Sequence, residues 1–425
     1  MKFSGPPSGP SSPSKKRKVK KNGSAAVSRD ALRQQLLRVH ALAGNWKSRL
    51  KPHERKLQKT IRTASDCSGY GSDLIAYRLL NLQGRVLPQQ MSENDLHKIK
   101  LHEAVAKACG WNTQPAMTGD MLARKPEECK TADVYVAGFP CPSFSTLGKG
   151  RGIHDQRGFL TLKGMEHIAL TRPRVIVLEQ VAAILQVKHE KVWNFVLKTL
   201  KSLEYDYVYK VMNTREHGVP QSRPRVYLLA VAKEVGQGTL SLPEKRTVPV
   251  DLHHFLRKDI VGSEILKLPK YEQLLGPQLW QKGFVLDVGA SPRWQHVVRN
   301  AAPCLIRTRM EQQGYYIPKL RRRLLPEEAA ALQAVPSRVF LAMTAAAQEH
   351  DIPLSAVAAS LGDAMSVNIL ASVLMRGLNH AGLAKFGPKQ DYWHHVENGP
   401  AAAQLSDNLF LYGKPCGATV ERRNG

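Results

Sequence analysis

The sequence predicts an α/β fold, and three observations carry that expectation. Two runs, Val134-Tyr-Val-Ala-Gly138 and Val175-Ile-Val-Leu178, have no polar face, the pattern of strands covered on both sides. A short strand-like run from Ile61 reaches Cys67-Ser-Gly-Tyr-Gly71 and passes directly into the helix-forming Ser72-Asp-Leu-Ile-Ala-Tyr77. Both apolar runs also lead into residues able to do chemistry, Cys141 just past Gly138 and Glu179 directly after Leu178. In open α/β sheets ligands bind outside the carboxyl ends of strands, where these residues would stand. Pro140 and Pro142 fix φ on both sides of Cys141 and restrict the residues before them. A cysteine after a strand is on its own more often a small buried hydrophobe than a reactive group, so its company has to decide.

Composition sets the bounds. A chain of 425 residues can hold one large domain with a smaller one, or two of medium size. A hydrophobic share of 43% is ample for a core, and no apolar run is long enough to span a bilayer. No signal peptide is read, and no membrane partner is expected. The six cysteines (67, 109, 129, 141, 304, 416) form no Cys-x-x-Cys pair, so neither a metal site nor a disulfide framework is indicated. The formal net charge is +27; residues 1–60 hold 16 Lys and Arg against two Asp and Glu, so about half of it lies there. Such an excess favours nucleic-acid partners and salt-sensitive binding.

In chain order, residues 1–27 are Pro/Ser/Gly-rich and then basic, a disordered tail. Within it, Pro13-Ser-Lys-Lys-Arg-Lys-Val-Lys-Lys21 resembles a nuclear import signal, which predicts a nuclear protein; a plain solvated tail is the other reading. Residues 28–59 form an amino-terminal helical extension, with Leu32, Leu36, Val39 and Ala43 at helical spacing, Ser28 as cap and Gly44 as stop. A catalytic unit is expected over 60–232. It opens with the strand, the Gly-x-Gly turn and the helix, glycines permitting close backbone approach to a ligand at the helix amino end. Arg85-Val-Leu-Pro-Gln-Gln-Met91 is a second strand, followed by Ser92-Glu-Asn-Asp95. An acid there can accept from ribose hydroxyls; Glu93 is the first choice and Asp95 the competitor, since either can cap the helix from Leu96. Thr118-Gly-Asp120-Met121 ends a third, short strand, and Asp120 is also a common turn former.

The loop after Cys141 carries Gly148-Lys-Gly-Arg-Gly152, a mobile basic stretch. A carboxylate such as Glu179 at the end of a buried strand is costly unless paired or functional. Tyr205 to Asn213 reads as a strand, and Gly218-Val-Pro-Gln-Ser-Arg-Pro-Arg225 leads into another. Residues 233–318 lose this periodicity, with Trp280, Phe284, Trp294, Tyr315 and Tyr316 set among basic residues. Helices over 319–385 and a tail over 386–425 complete the chain.

Together these stretches resemble, in order, the motifs of the DNA (cytosine-5)-methyltransferase family across roughly residues 60–380. Gly138-Phe-Pro-Cys-Pro-Ser-Phe-Ser145 with Asp155-x-Arg157-Gly158 matches its catalytic motif, and Gln221-x-Arg223-x-Arg225 its active-site arginine motif. Asp66-Cys-Ser-Gly-Tyr-Gly71 resembles the cofactor loop Asp-x-Phe-x-Gly-x-Gly, with Cys67 and Tyr70 departing from its usual residues. Arg323-Leu-Leu-Pro326 to Pro336 resembles the helix bracing the recognition region, with Leu325 where a capping Thr is usual. Gly362-Asp-Ala-Met365 onward resembles the last motif, with Asp363 for Asn; Gln180 replaces the Asn of Glu-Asn-Val.

The resemblance implies a class I S-adenosylmethionine-dependent methyltransferase fold, Rossmann-like, with a mixed seven-stranded sheet and a small target-recognition domain over 233–318. It implies S-adenosyl-L-methionine as cofactor, held by Cys67, Ser68, Gly69, Tyr70, Gly71, Glu93, Asp120 (near the adenine amino group), Met121, Pro140, Asp363, Ala364 and Met365. Cys141 would be the nucleophile, Glu179 would bind the cytosine ring edge, and Arg223 and Arg225 would position the base and Glu179, with Gln221 supporting the loop. Double-stranded DNA is the implied partner, with Ser145, Lys149, Arg151 and Arg157 in the loop that closes behind a flipped base, and targeting or chromatin proteins as further partners. The chemistry has its own logic. Carbon 5 of cytosine is a poor nucleophile until a thiolate adds at carbon 6 and makes an enamine, and the base is out of reach inside a duplex. A tRNA methyltransferase on the same scaffold, whose Cys-Phe-Thr segment is absent here, and a catalytically silent nucleic-acid-binding homologue are the competing readings.

Overall fold

The computed structural model describes residues 27–54, 59–112, 116–140, 156–245, 250–290 and 297–386. The expected disordered tail (but for Val27), the basic run, the loop from Cys141 to Asp155 and nearly all of the tail after 386 lie outside these residues.

Helix α1 (Arg29–Gly44) opens the described chain, and the Ser28 hydroxyl caps it by accepting from the Ala31 amide at 3.1 Å. Leu32, Val39 and Ala43 turn inward as their spacing predicts, whereas Leu36 is only partly covered and Gln35 takes its place, donating to Glu166 at 3.0 Å. A short α2 (Trp46–Arg49) follows. The main unit then runs β1 (Ile61–Asp66), α3 (Ser72–Leu79), β2 (Val86–Ser92), α4 (Leu96–Cys109), β3 (Ala116–Met117), β4 (Val134–Gly138), α5 (Gln156–Thr171), β5 (Val175–Val181), α6 (Glu190–Ser202), β6 (Tyr205–Asn213) and β7 (Pro224–Ala232).

These strands make one seven-stranded sheet in the order β3-β2-β1-β4-β5-β7-β6, with β7 antiparallel to both β5 and β6 and the other pairings parallel. This is the mixed sheet expected. The central strands β4 and β5 are covered throughout, which is why they read as unbroken apolar runs; β6, at the edge, leaves Asp206, Tyr209 and Val211 exposed. The order reverses between β1 and β4. A crevice opens there at the carboxyl ends, because connections on either side leave for opposite faces.

The remaining chain first builds a small unit: α7 (Pro269–Leu275), α8 (Gln278–Gln281), β8 (Leu286–Asp287), α9 (Arg307–Glu311), β9 (Tyr315–Ile317) and β10 (Arg322–Arg323). Its antiparallel three-stranded sheet, β10-β9-β8, covers a separate apolar cluster of Leu268, Tyr271, Leu279, Phe284, Leu286 and Tyr316. β10 lies past residue 318, so this sheet takes residues from both sides of that expected boundary. Helices α10 (Pro326–Ala331), α11 (Ser337–Glu349), α12 (Leu354–Asp363) and α13 (Val367–His380) then return to the main core. At α10 the Leu325 amide donates to Glu328 Oε2 at 2.8 Å, and leucine has no oxygen to return the favour, so the cap is half of a box. Glu328 is fully buried and also takes two bonds from Arg322, at 2.7 and 2.9 Å. Among the described residues no single helix is long and apolar enough to cross a membrane; α12 and α13 pass only as a pair bent by 43°.

Candidate functional site

The loop after β1 is built on left-handed backbone. Cys67, Gly69 and Gly71 have φ of 54°, 57° and 90°, and a Cβ at Gly71 would lie 3.0 Å from the His102 imidazole, so that position has both a conformational and a steric need for glycine. Ser68 and Tyr70 are buried within the turn, and Gly71 starts α3. Glu93, just past β2, clamps this loop: its Oε2 accepts from the Gly69 amide at 3.0 Å, and its Oε1 accepts from the amides of Asn94 and Asp95, each at 3.0 Å. Asp95 caps α4, accepting from the His97 amide at 3.1 Å and the Lys98 amide at 3.4 Å. The two acids thus divide the work that the sequence left open between them. Asp120 accepts from the Leu122 amide at 3.0 Å, the turn-forming bond its type favours, and buried Met121 approaches the Cys67 thiol, sulfur to sulfur 3.7 Å.

The turn between α12 and α13, late in the described residues, closes this crevice. α13 packs on α3, and Met365 Cγ lies 3.4 Å from where a Cβ on Gly138 would stand, at the end of β4 and two residues before Pro140. The turn between α12 and α13 is held by hydroxyls and amides: Ser366 donates to Gln333 Oε1 at 3.0 Å and meets Thr214 Oγ1 at 2.8 Å, and Asn368 donates to the His217 carbonyl at 2.8 Å. Asp363 faces two cations, Lys98 Nζ at 2.9 Å and Arg307 Nη1 at 3.0 Å. An asparagine there would carry no charge to satisfy them; the aspartate does, and binds α4, α9 and α12 together.

Across the switch point, Glu179 lies in register with Gly138 on one side and Tyr227 on the other. The residue is 8% exposed. Burial pushes its pKa up, and the guanidiniums of Arg225 and Arg223 oppose that without cancelling it. Arg225 is the direct partner, Nε to Oε1 at 3.3 Å, and its Nη2 turns to the Cys304 sulfur at 3.7 Å. Arg223 is directed elsewhere: its guanidinium donates to the carbonyls of Leu305 at 2.7 Å, Gly362 at 3.2 Å and Ala364 at 2.6 Å, fastening the small unit to the last motif. Gln221 is fully buried and bridges Leu305 N, at 3.2 Å, to the Leu332 carbonyl. Gln180 bonds its own strand, accepting from the Val181 amide at 2.9 Å.

Cys141, Ser145, Lys149 and Arg151 lie outside the described residues, as does the side chain of Arg157. The described chain nevertheless runs to Pro140, at the mouth of the same crevice as Glu179, Arg225 and Met365. Sequence reasoning missed the cluster beneath this mouth. Asp66, at the end of β1, takes Arg124 through two bonds at 2.5 and 2.8 Å, the Ser92 hydroxyl at 2.7 Å and the Tyr135 hydroxyl at 2.7 Å, with His167 Nδ1 at 3.4 Å. The stretch Ile61-Arg-Thr-Ala-Ser65 before Asp66 is too polar to announce a buried acid. No ion ligand set of three or more His, Cys, Asp or Glu exists among the described residues.

The sequence model of the family described as C-5 cytosine-specific DNA methylase matches residues 92–274. Type II methyltransferase M.NgoBI of Neisseria gonorrhoeae is 27% identical over 264 residues, 59% of this chain and 76% of the relative. Type II methyltransferase M.HaeII of Haemophilus aegyptius is 25% identical over 275 residues, covering 63% and 80%. Among solved structures, an E. coli protein described as a DNA modification methyltransferase encoded within a prophage superposes with a TM-score of 0.52 at 16% identity, over 76% of this chain and all of its own; that likeness is one of fold. These relatives overturn the nuclear destination expected from residues 13–21: both curated proteins are bacterial type II methyltransferases, from cells without a nucleus.

Proposed function

The chain belongs to the C-5 cytosine-specific DNA methylase family and is a DNA (cytosine-5)-methyltransferase, and on that premise we propose how its own residues carry the transfer. The observation that supports the assignment most directly is Glu179: a buried carboxyl paired with Arg225 at a strand end, in register with the strand that delivers Cys141.

Cys141 adds through its thiolate to carbon 6 of a cytosine flipped from the duplex, breaking the ring's aromaticity and leaving carbon 5 nucleophilic. Glu179 turns one oxygen to ring nitrogen 3 and the other to the exocyclic amine, and burial raises its pKa, which favours sharing a proton with nitrogen 3. Arg225 sets the plane of that carboxyl through Nε. Arg223 and Gln221 act further out, holding the Cys304–Leu305 segment and the last motif against β7. After transfer a base takes the proton from carbon 5, and elimination returns the thiolate. Ser145, Lys149, Arg151 and Arg157 are assigned to the loop that closes over the DNA.

The residues present fit S-adenosyl-L-methionine. A Cβ added at Gly69 would meet no atom within 4 Å, so the left-handed loop leaves open space before the amino end of α3. When bound, that cofactor supplies a sulfonium methyl group. Residues 67–71 line its seat, Glu93 offers its carboxylate to ribose hydroxyls, Asp120 and Met121 flank the adenine, and Pro140 with Asp363–Met365 closes the methionine end. In this division residues 60–232 and 319–385 form the catalytic unit and 233–318 the target-recognition region.

The test is transfer of labelled methyl from S-adenosyl-L-methionine to unmethylated double-stranded DNA, hemimethylated DNA and tRNA, with Cys141→Ser alongside. Label is expected in DNA for the wild type and in nothing for the variant. Label confined to tRNA, or retained by Cys141→Ser, would overturn the proposal.

A further inference from the structure

Glycine is the poorest helix former after proline, yet Gly164 stands in the middle of α5. Its φ is not left-handed, so the backbone gives no reason for it. The reason is spatial. A Cβ there would overlap Cζ of the Phe139 ring, lie 2.6 Å from its Cε1 and come to 3.0 Å from the Tyr135 hydroxyl. α5 thus approaches the end of β4 with a notch where a side chain would be, and the ring fills it. Phe139 is 5% exposed and stands two residues before Cys141.

From this geometry we propose that Gly164 is a positioning residue for the transfer reaction: its missing side chain seats the Phe139 ring and so sets where the chain leaves β4 toward Cys141. The inference rests on the role given above to Cys141. The path from ring to thiol is short and stiff. Pro140 restricts the ψ of Phe139 and fixes its own φ, so between Phe139 and Cys141 only the ψ of Pro140 turns freely. A phenyl packed in a buried site has few staggered alternatives, so a ring pushed from the notch takes its own backbone with it. The Phe139 carbonyl accepts from Gln180 Nε2 at 3.4 Å, too long a bond to hold that backbone against an overlapping methyl group.

Which side yields to added bulk is decided by what holds each. α5 is pinned from the side away from the notch by α1: Glu166, 2% exposed, accepts from Gln35 Nε2 at 3.0 Å and faces Arg38 Nε at 2.5 Å. On the notch side His167 lies edge-on to the Tyr135 ring, centroids 4.9 Å apart, and Tyr135 donates its hydroxyl to Asp66 at 2.7 Å. Moving the helix would strain all of these contacts together. The Phe139 ring has the freer side, because it borders a cavity lined also by Thr161, Gln180, Ile184, Trp193 and Val226. A side chain at 164 is therefore accommodated by displacement of Phe139.

Two measurements test this. In the first, Gly164→Ala adds a methyl group in the notch, and Phe139→Leu in the same chain gives space back. Gly164→Ala is expected to lower kcat about tenfold or more with donor KM unchanged, and the double variant to recover to within about threefold of wild type. Helix propensity alone predicts the opposite for Gly164→Ala, a higher melting temperature with kcat unchanged. That result, or a loss of kcat that Phe139→Leu does not relieve, would overturn the proposal. In the second, alkylation of Cys141 by iodoacetamide is followed peptide by peptide, without DNA or methyl donor. Its rate is expected to change by about threefold or more in Gly164→Ala and to return to the wild-type rate in the double variant. Equal rates in all three chains would refute the link from notch to thiol. This arm needs no turnover, so it decides the role of Gly164 even if the wild type transfers no methyl to DNA, which would refute the function instead.

Discussion

Asp66 and Glu179 are both carboxylates buried at the carboxyl ends of strands, yet their surroundings drive them in opposite directions. Burial raises both. For Asp66, bonds from Arg124 and His167 and their charges outweigh burial and hold the group ionised, well below the carboxylate range. For Glu179, two arginines oppose burial and fall short. The first is accordingly architecture. Asp66→Asn leaves the Arg124 guanidinium buried without its countercharge, and an expected loss of about 3–5 kcal/mol can be read from urea unfolding. The second is the group to which the proposed reaction gives a proton-sharing role. Glu179→Gln keeps the shape but can share no proton with ring nitrogen 3. We expect kcat to fall by about 10²-fold or more at unchanged melting temperature, with loss of the limb that declines as the wild-type carboxyl ionises. Retention of that limb in the variant would assign it to another group. Of the two acids, Glu179 was legible in the sequence, because a carboxylate after an apolar run is costly; Asp66, after Ile61-Arg-Thr-Ala-Ser65, carried no such signal. Their partners were not legible: Arg124 lies 58 residues from Asp66 in a turn with no periodic pattern, and only the folded sheet brings the two together.

At the scale of elements, the amino-terminal extension is attached by chemistry as well as by the apolar face of α1. The Arg172 guanidinium sits 3.7 Å over the Trp46 ring and is paired through both Nη atoms with Glu234; the His53 amide donates to Glu234 Oε1 at 2.9 Å, and the His53 ring meets the Arg172 carbonyl at 2.6 Å. Burial raises Glu234, but Arg172 and the His53 amide bring it down to about 2. A carboxyl depressed in the fold contributes stability above its unfolded value and loses it as pH falls through the folded one. Protection of residues 45–54 from proteolysis is thus expected to decline as pH drops from about 4.5 toward about 2, and to be absent at neutral pH in Glu234→Gln. Equal cleavage of variant and wild type at neutral pH would show that the apolar face alone suffices. The cap, spacing and stop of α1 could be read from residues 28–44, since each is a local signal. The short strands β8 and β10, two residues each, could not, because a period of two needs several residues to declare itself; β3, equally short, was legible only through the turn at Thr118-Gly-Asp120 that ends it.

For the whole molecule, charge is the dominant global property. A net +27 on 425 residues, about half of it in the first 60, implies that association with DNA is governed largely by counterion release. Raising salt from about 50 to about 200 mM should weaken binding to duplex DNA by roughly 10³-fold, the loss for about six neutralised phosphates, measurable by fluorescence anisotropy. A flat response would move recognition to uncharged contacts. The order of the motifs could be read along the sequence; that the last of them sits against the first could not be derived from periodicity, and came only with the family's architecture. That closure also governs how the protein comes into being. Lys98 and Asp363, 265 residues apart, meet at the crevice, and Arg85 donates to the Leu383 carbonyl at 2.7 Å. On the ribosome, the turn after β1 and the strand leading to Cys141 therefore emerge long before Asp363–Met365 are made. The crevice between β1 and the segment before α13 is thus closed only by the last described part of the chain to be synthesised, and a chain truncated before α13 is expected to leave it open, with loss of methyl transfer as the measurement.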